Sequence, residues 1–309
     1  MRQPPCPTVR RALIVALLIL LTSQLPLRAD DVTAGGEPFS LRDPEDPSTT
    51  QPNVSGGLVE FLADRFSPHE PIYFLWGPDD PQVKFQVSLK YQIFTPDGDL
   101  AEAVPWVSNF YVAYTQQSFW DIGEPSGPFF DSSYRPELIW LHEQPDAEWD
   151  WLPGLSRFDL QLGLQHESNG KSGSDSRSMN IAYVRPVFTF GHGGGSRGAE
   201  KFFVTIAPRV WGYLYRLDEN PDIDEYRGYG DVRAIIGWRD GLQLSANYRP
   251  GADWDTPALE LNLSHPLRKV TGGSVDMYVY AQYFTGYGES LIGYDERGDS
   301  FRIGLALVR

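Results

Sequence analysis

Thiols and basic residues are both scarce in this chain. Its 309 residues contain one cysteine, Cys6, and 26 Lys and Arg residues against 41 Asp and Glu, which gives a formal net charge of −15. A single cysteine cannot form a zinc-finger framework. Binding to a polyanion requires a surplus of basic residues, so we do not expect this acidic chain to bind nucleic acid.

Long apolar runs are also absent. The apolar run at 12–21 follows Arg2, Arg10 and Arg11 and is too short to cross a bilayer as a helix. Basic residues, a short apolar run and small residues follow one another in a secretory signal peptide. We therefore predict a signal peptide over residues 1–29, cleaved after Ala29 or Ala34, with a membrane-anchoring helix as the alternative. A mature chain without Cys6 suits the periplasm or the outer membrane.

The chain behind the signal divides into two parts. Residues 30–71 are acidic and rich in Pro, Gly, Ser and Thr, which predicts an extended periplasmic arm. From Ile72 onward apolar and polar residues alternate, as in Val83–Phe94, which is typical of a strand with one apolar face. Twelve segments show this pattern, near 72–76, 83–94, 107–116, 136–142, 157–166, 179–190, 201–213, 229–238, 241–249, 257–265, 274–284 and 300–308.

Twelve such strands and an export signal favour an all-β fold, a twelve-stranded antiparallel transmembrane β-barrel over residues 72–309. A soluble sandwich or lipocalin-like barrel would show the same alternation with its apolar face turned inward. The strongly charged polar face, and the lack of helices to cover an apolar sheet, favour the membrane barrel. The final residues argue against it, because Leu307, Val308 and Arg309 lack the aromatic residue common at that position in such barrels.

One rim of this barrel carries residues suited to acyl transfer. His166 and Ser168 lie two apart on a strand, so their side chains point to the same side, in phase with Leu162 and Leu164. In the next strand Arg185 must face the lumen, because a lipid-facing guanidinium costs about 2–4 kcal/mol.

That phase turns Asn180 outward beside His166 and Ser168. A serine nucleophile, a histidine base and an amide that orients the imidazole would form a catalytic triad. A histidine and a serine are also ordinary hydrophilic residues at a barrel rim, so spacing alone leaves both interpretations open.

The segment Leu164–Ser172, followed by Ser176–Asn180, resembles outer membrane phospholipase A, a calcium-dependent barrel that hydrolyses the acyl esters of phospholipids. The resemblance extends through most of the chain from about residue 72, in the segments Val83–Gln86, Tyr114–Gln116, Asn220–Ile223 and Gly286–Ile292.

The resemblance implies a role for each matching catalytic position. Ser168 corresponds to the nucleophile, His166 to the general base and Asn180 to the residue that orients it. The backbone amide of Gly170 corresponds to part of the oxyanion hole, which a calcium-bound water completes.

The resemblance also implies Ca²⁺ as cofactor and a reversible homodimer. Its ligands map to Ser126, Lys171 and Ser176, with Ser126 supplied by the opposite subunit. Glu219 aligns with a further carboxylate ligand of calcium in the family. Another carboxylate ligand of the family aligns with Gly173, and Asp175 could substitute for it. Gln116 matches a buried polar residue of the dimer interface; without the resemblance, a glutamine that faces the lumen or lies at the rim is an equal alternative.

The sequence therefore predicts a phospholipase of the outer membrane that cleaves the 1- or 2-acyl ester of membrane phospholipids and lysophospholipids. A non-enzymatic pore or structural barrel of the same fold is the alternative, and it would place its polar constellation in the lumen. A soluble secreted lipase is disfavoured, since no Gly-x-Ser-x-Gly motif surrounds Ser168.

Overall fold

The computed structural model describes residues 65–144, 152–191, 202–214 and 217–309. The predicted signal peptide, and the predicted arm as far as residue 64, lie outside the described residues. The strands are β1 (Phe66–Pro68), β2 (Ile72–Trp76), β3 (Val83–Gln92), β4 (Phe110–Trp120), β5 (Phe129–Glu143), β6 (Leu155–Ser168), β7 (Ser178–Gly191), β8 (Phe202–Tyr213), β9 (Gly230–Trp238), β10 (Gln243–Arg249), β11 (Ala258–Pro266), β12 (Tyr278–Tyr287) and β13 (Arg297–Val308).

The helices are short. Two helices of five residues are described, α1 (Asp99–Ala103) and α2 (Ile223–Arg227), with 3₁₀ turns at Pro105–Asn109, Gly173–Asp175 and Leu267–Lys269. Over the described ranges, no helix has the length and apolar content that a membrane crossing requires.

The sheet closes on itself. Consecutive strands from β2 to β13 pair antiparallel, and β13 pairs with β2. Both β1 and β2 pair with β3, so they form one wall strand that is interrupted at residues 69–71. The result is the predicted twelve-stranded antiparallel barrel. Its wall begins at Phe66, so the predicted boundary at residue 72 lies too late in the chain.

Several strands differ in length from their predicted ranges. β5 runs over Phe129–Glu143 and not 136–142, because the polar residues 131–135 hide its alternation although they pair with β4. β4 begins at Phe110 and not at 107, since Pro105 starts a 3₁₀ turn, and it continues to Trp120. β12 covers Tyr278–Tyr287 and not 274–284.

The apolar face of the wall points outward. In β6, Leu162 and Leu164 are 39% and 50% exposed, whereas Gln161, Gln165 and Glu167 are buried. An apolar outer surface and a polar interior are the arrangement of a membrane barrel, since lipid contacts the outer face. The lipocalin-like alternative, which needs the opposite phase, is therefore wrong.

Ion pairs fill the lumen. The ammonium of Lys84, which is 1% exposed, donates to Gln282 Oε1 at 2.7 Å and to Glu260 Oε2 at 3.1 Å. At the interruption between β1 and β2, Glu70 accepts from Arg185 Nη1 at 3.2 Å and from Arg233 Nη1 at 2.6 Å. The buried charges are thus paired, as burial in a narrow interior requires.

Aromatic residues mark both ends of the apolar band. Trp76, Trp120 and Phe129 lie at the end that carries the β4–β5 and β6–β7 loops, whereas Trp106, Trp140 and Trp238 lie at the other end. Such girdles occur where a barrel crosses the two interfaces of a membrane. The first of these ends is called the site rim below.

Candidate active site

The residues predicted to form a catalytic triad come from β6 and β7, next to their connecting loop at the site rim. In the register of these strands His166 lies opposite Asn180 and Ser168 lies opposite Ser178. His166 Nδ1 and Asn180 Oδ1 are 2.9 Å apart. Because an amide oxygen only accepts, Nδ1 carries the proton and Nε2 is the nitrogen free to act as a base.

Ser168 occupies a well-supported position. Its Cα partners are Tyr134 on β5 and Ser178 on β7, so it is flanked by strands on both sides. Ser168 and His166 are partly exposed, whereas Glu167 between them is buried in the lumen. Both side chains thus share the outward phase predicted from their spacing. The described residues show no hydrogen bond between the Ser168 hydroxyl and the imidazole, a contact that often tightens only when substrate binds.

Gly170 turns the chain two residues beyond Ser168. Its φ of +67° lies in the left-handed region, and a Cβ at this position would approach Tyr134 Cε2 to 3.1 Å. Both constraints favour glycine. In the part of the chain that is described, the Gly170 N–H donates to no acceptor. It is therefore free to donate to an oxyanion.

Asn169 organises the β6–β7 loop, a role that was not predicted. It is 4% exposed, and its Oδ1 accepts the N–H groups of Lys171 at 3.2 Å and Arg177 at 3.1 Å. Its Nδ2 donates to the Asp175 carbonyl at 2.8 Å. The position of Asn169 at the start of a polar turn was the available signal, because asparagine side chains often bond nearby backbone in turns.

Two of the predicted metal ligands lie in this loop. Lys171 and Ser176 follow Ser168 by three and eight residues and offer a backbone carbonyl and a hydroxyl. Neither of these oxygens takes part in a hydrogen bond to another described residue. Among all the residues that the structure describes, no three side chains of His, Cys, Asp or Glu are grouped as a metal site.

Ser126 and Glu219 lie outside that loop. Ser126, with a φ of +74°, is exposed in the β4–β5 loop and has no hydrogen bond to Lys171 or Ser176 in the described structure. The Lys171 ammonium donates instead to the carbonyl of Phe130, the second residue of β5, at 2.7 Å. Glu219 contacts β7, where its Oε2 accepts from the Ser178 hydroxyl at 2.7 Å.

A buried tyrosine, Tyr294, packs against Arg177 of the β6–β7 loop. Arg177 Nη1 donates to the carbonyls of Ser174 and Ser176, each at 2.8 Å, and the guanidinium lies 5.6 Å from the centroid of the Tyr294 ring. The Tyr294 hydroxyl donates to the Asp222 carboxylate. Burial, followed by this hydrogen bond, raises the pKa of Tyr294, so the phenol remains a neutral donor.

A short polar ladder lies on the outer wall of β4 and β5. The Tyr114 hydroxyl donates to Gln116 Oε1 at 3.2 Å, and Gln116 Nε2 donates to Ser118 Oγ at 3.1 Å. Ser118 Oγ is 2.8 Å from Ser132 Oγ on the next strand. Ser118 is 0% exposed, whereas Tyr114 is 42% exposed toward the lipid side. Polar groups that face lipid are costly unless they are paired or face another protein surface.

Comparisons with known proteins agree on one family. A sequence model described as phospholipase A1 matches residues 65–307. Phospholipase A1 of Escherichia coli K12 is 29% identical over 276 residues, covering 86% of this chain and 84% of the relative. Phospholipase A1 of Proteus vulgaris is 27% identical over 277 residues, covering 87% of this chain and 84% of the relative.

Solved structures show the same likeness. Outer membrane phospholipase A from Escherichia coli superposes with a TM-score of 0.61 at 26% identity, covering 78% of this chain and 98% of the other. The outer membrane phospholipase of Salmonella typhi, a dimer with bound calcium, has a TM-score of 0.62 at 24% identity, covering 78% of this chain and 92% of the other.

Proposed function

Because this chain belongs to the phospholipase A1 family, we propose that it hydrolyses phospholipid acyl esters with Ser168, His166 and Asn180 as its catalytic triad. Membership of the family makes it a phospholipase, an ester hydrolase. The observation that carries the triad is the 2.9 Å contact between His166 Nδ1 and Asn180 Oδ1 on the outer wall.

The proposed reaction proceeds through an acyl-enzyme. Ser168 Oγ attacks the ester carbonyl while His166 Nε2 takes the hydroxyl proton, and the resulting imidazolium then gives that proton to the departing lysophospholipid alcohol. Water deprotonated by the same nitrogen releases the fatty acid and restores the serine. Asn180 holds the ring in the required tautomer throughout, and the Gly170 N–H donates to the oxyanion.

The outward phase of the triad fits a substrate that resides in a membrane. A phospholipid in the outer leaflet can bring its ester to the rim while its acyl chains lie along the apolar wall at Leu162 and Leu164. Relatives named phospholipase A1 support cleavage at the 1-position. We extend this to the 2-acyl ester and to lysophospholipids. A passive pore gains no support from a lumen filled by the ion pairs of Lys84 and Glu70.

Calcium is the proposed cofactor. The Lys171 carbonyl and the Ser176 hydroxyl are hard oxygen donors of the kind that Ca²⁺ prefers, and no described hydrogen bond occupies them. Ser126 would complete the site from the second subunit of a homodimer. Glu219 retains Oε1 as a further donor, since only Oε2 is bonded to Ser178. When bound, the ion would supply positive charge that stabilises the oxyanion.

The calcium-bound dimer of the Salmonella typhi relative supports this cofactor and this assembly. The polar ladder at Gln116 is a suitable part of the interface, because a second barrel would shield its hydrogen bonds from lipid. The barrel fold and the outer-membrane relatives support an outer-membrane location, which the chain would reach through a cleaved signal peptide.

The test is ester hydrolysis in mixed detergent and phospholipid micelles, with the label on the 1-acyl or the 2-acyl chain. We expect fatty acid release from both labels in excess calcium, and none after chelation or in Ser168→Ala. Ser108→Ala serves as the control, because Ser108 lies at the opposite end of the barrel and its hydroxyl donates to the Pro105 carbonyl and to no triad residue. Undiminished hydrolysis by Ser168→Ala would refute the triad.

A further inference from the structure

Strand β7 reaches farther toward the site rim than its neighbour β8. The last residue of β8, Tyr213, lies opposite Ile181, whereas β7 begins at Ser178. Leu214 extends the pairing by one bond, from its N–H to the Asn180 carbonyl at 2.9 Å. The N–H of Ser178 on this side of β7 therefore needs an acceptor beyond the end of β8.

A side chain provides that acceptor. Asn220 Oδ1 accepts the Ser178 N–H at 2.9 Å, so an amide oxygen stands where the backbone carbonyl of a longer β8 would be. The adjacent residue, Glu219, accepts from the hydroxyl of the same serine. Two consecutive residues of the β8–β9 loop thus hold the first residue of β7.

Asn220 is itself rigidly held. It is 0% exposed, its N–H donates to the Leu217 carbonyl at 2.9 Å, and its carbonyl accepts the Ile223 N–H at 3.1 Å. Ile223 is also 0% exposed and belongs to a buried cluster with Met179, Leu291 and Tyr294. Met179 is the residue between Ser178 and Asn180, so the loop packs against the same segment that it bonds.

We propose that Asn220 is a positioning residue of the catalytic site. By holding Ser178, which lies opposite Ser168, it determines where Asn180 and His166 sit relative to the nucleophile. Ser178 and Asn180 are only about 6.8 Å apart along the strand, so a shift of Ser178 is passed to the triad. A misplacement of about 1 Å costs about a hundredfold in rate in well-organised active sites. The inference rests on the proposed triad.

The test compares Asn220→Ala with Asn220→Asp. Alanine leaves the Ser178 N–H without this acceptor, whereas aspartate keeps an oxygen at the same reach. We expect Asn220→Ala to lower kcat about 10- to 100-fold with a nearly unchanged KM for micellar substrate. Asn220→Asp should recover most of this loss. The rate at which a fluorophosphonate labels Ser168 should fall and recover in parallel.

Asn262→Ala is the matched control. Asn262 is likewise buried, at 8% exposure, but it bonds Ser245, Glu260 and Gln282 in the lumen. It should keep the wild-type kcat, and heat-modifiable migration in gels reports folding of every variant. If Asn220→Ala does not fold, Asn220→Gln replaces it, because the extra methylene displaces the acceptor while the amide is retained.

Two results would overturn the inference. One is an Asn220→Ala or Asn220→Gln enzyme with the kcat and labelling rate of Asn262→Ala. The other is an equal loss in the alanine and aspartate variants with a raised KM, which would mean that Asn220 only fills space. An active Ser168→Ala enzyme would instead refute the triad. If Ser168→Ala is inactive and Asn220→Ala retains full activity, only the positioning role is refuted.

Discussion

Replacing Asn180 with alanine tests most directly the roles assigned to the residues of the proposed triad. The change removes the acceptor that lies 2.9 Å from His166 Nδ1, while it leaves the nucleophile and the base in place. A neutral hydrogen bond contributes about 0.5–1.5 kcal/mol net, which corresponds to about a 2- to 13-fold loss in kcat. Removing the base in His166→Ala should cost more, about 10²- to 10⁴-fold.

An isosteric exchange separates orientation from charge. Asn180→Asp keeps an oxygen at the position of Oδ1 and adds a negative charge beside the imidazole. The carboxylate stabilises the imidazolium that forms in the transition state, but it also stabilises the protonated ring of the free enzyme. We therefore expect Asn180→Asp to hold a high kcat at alkaline pH, with the acidic limb of its pH–rate profile moved to higher pH.

The assay is fatty acid release from mixed micelles at saturating calcium between pH 6 and 10, because the lower half of that window contains the ordinary titration range of histidine and lies above that of the carboxylates. Each variant is first checked for heat-modifiable migration, because a misfolded barrel would lose activity for another reason. An Asn180→Ala enzyme that is slower than His166→Ala would refute the assigned roles. An Asn180→Asp profile that coincides with the wild type would show that residue 180 does not contact the catalytic imidazole.

The wall, the β6–β7 loop and the proposed dimer each provide one further prediction. Leu162→Arg on the lipid face should lower the free energy of unfolding in lipid vesicles by about 2–4 kcal/mol. Trp254→Arg, in a loop and 71% exposed, should leave this free energy nearly unchanged. Equal values for the two variants would contradict the outward orientation of Leu162. Gly170→Ala should lose more activity than Gly173→Ala, because both glycines have a positive φ but only Gly170 would place a Cβ against Tyr134. Micellar kcat values in the reverse order would exclude Gly170 from the oxyanion hole. Calcium should increase the fraction of cross-linked dimer at a fixed protein-to-detergent ratio, as linkage between ion binding and subunit binding requires. Gln116→Leu should decrease this fraction. An enzyme that is fully active as a monomer in saturating calcium would refute the proposed dimer.

The local pattern of the chain was sufficient to predict the wall and the outward phase of His166 and Ser168. Alternation with a period of two follows from the pleat of a strand, so it could be recognised in each segment separately. The same period placed His166 and Ser168 in phase with Leu162 and Leu164, as the structure has them. The resemblance, and not the spacing, supplied the roles of Gly170, Lys171, Ser176, Ser126 and Glu219.

The tertiary structure decided what the alternation leaves open. Whether the apolar face points outward depends on closure of the sheet through β2 and β13, which joins the two ends of the described chain. The interruption of the first strand and the full length of β5 likewise depend on pairing with neighbours, because Phe66–Pro68 and residues 131–135 lack a clear alternation of their own.

The supports of the site also appear only in three dimensions. Asn220 lies 42 positions from Ser178. Neither local sequence indicates that the Asn220 side chain accepts the Ser178 N–H at the start of β7. Periodicity records which face of each strand is buried, a property of single residues and their neighbours in sequence. A hydrogen bond between distant segments depends on the register and relative length of strands, and these are determined only when the whole barrel closes.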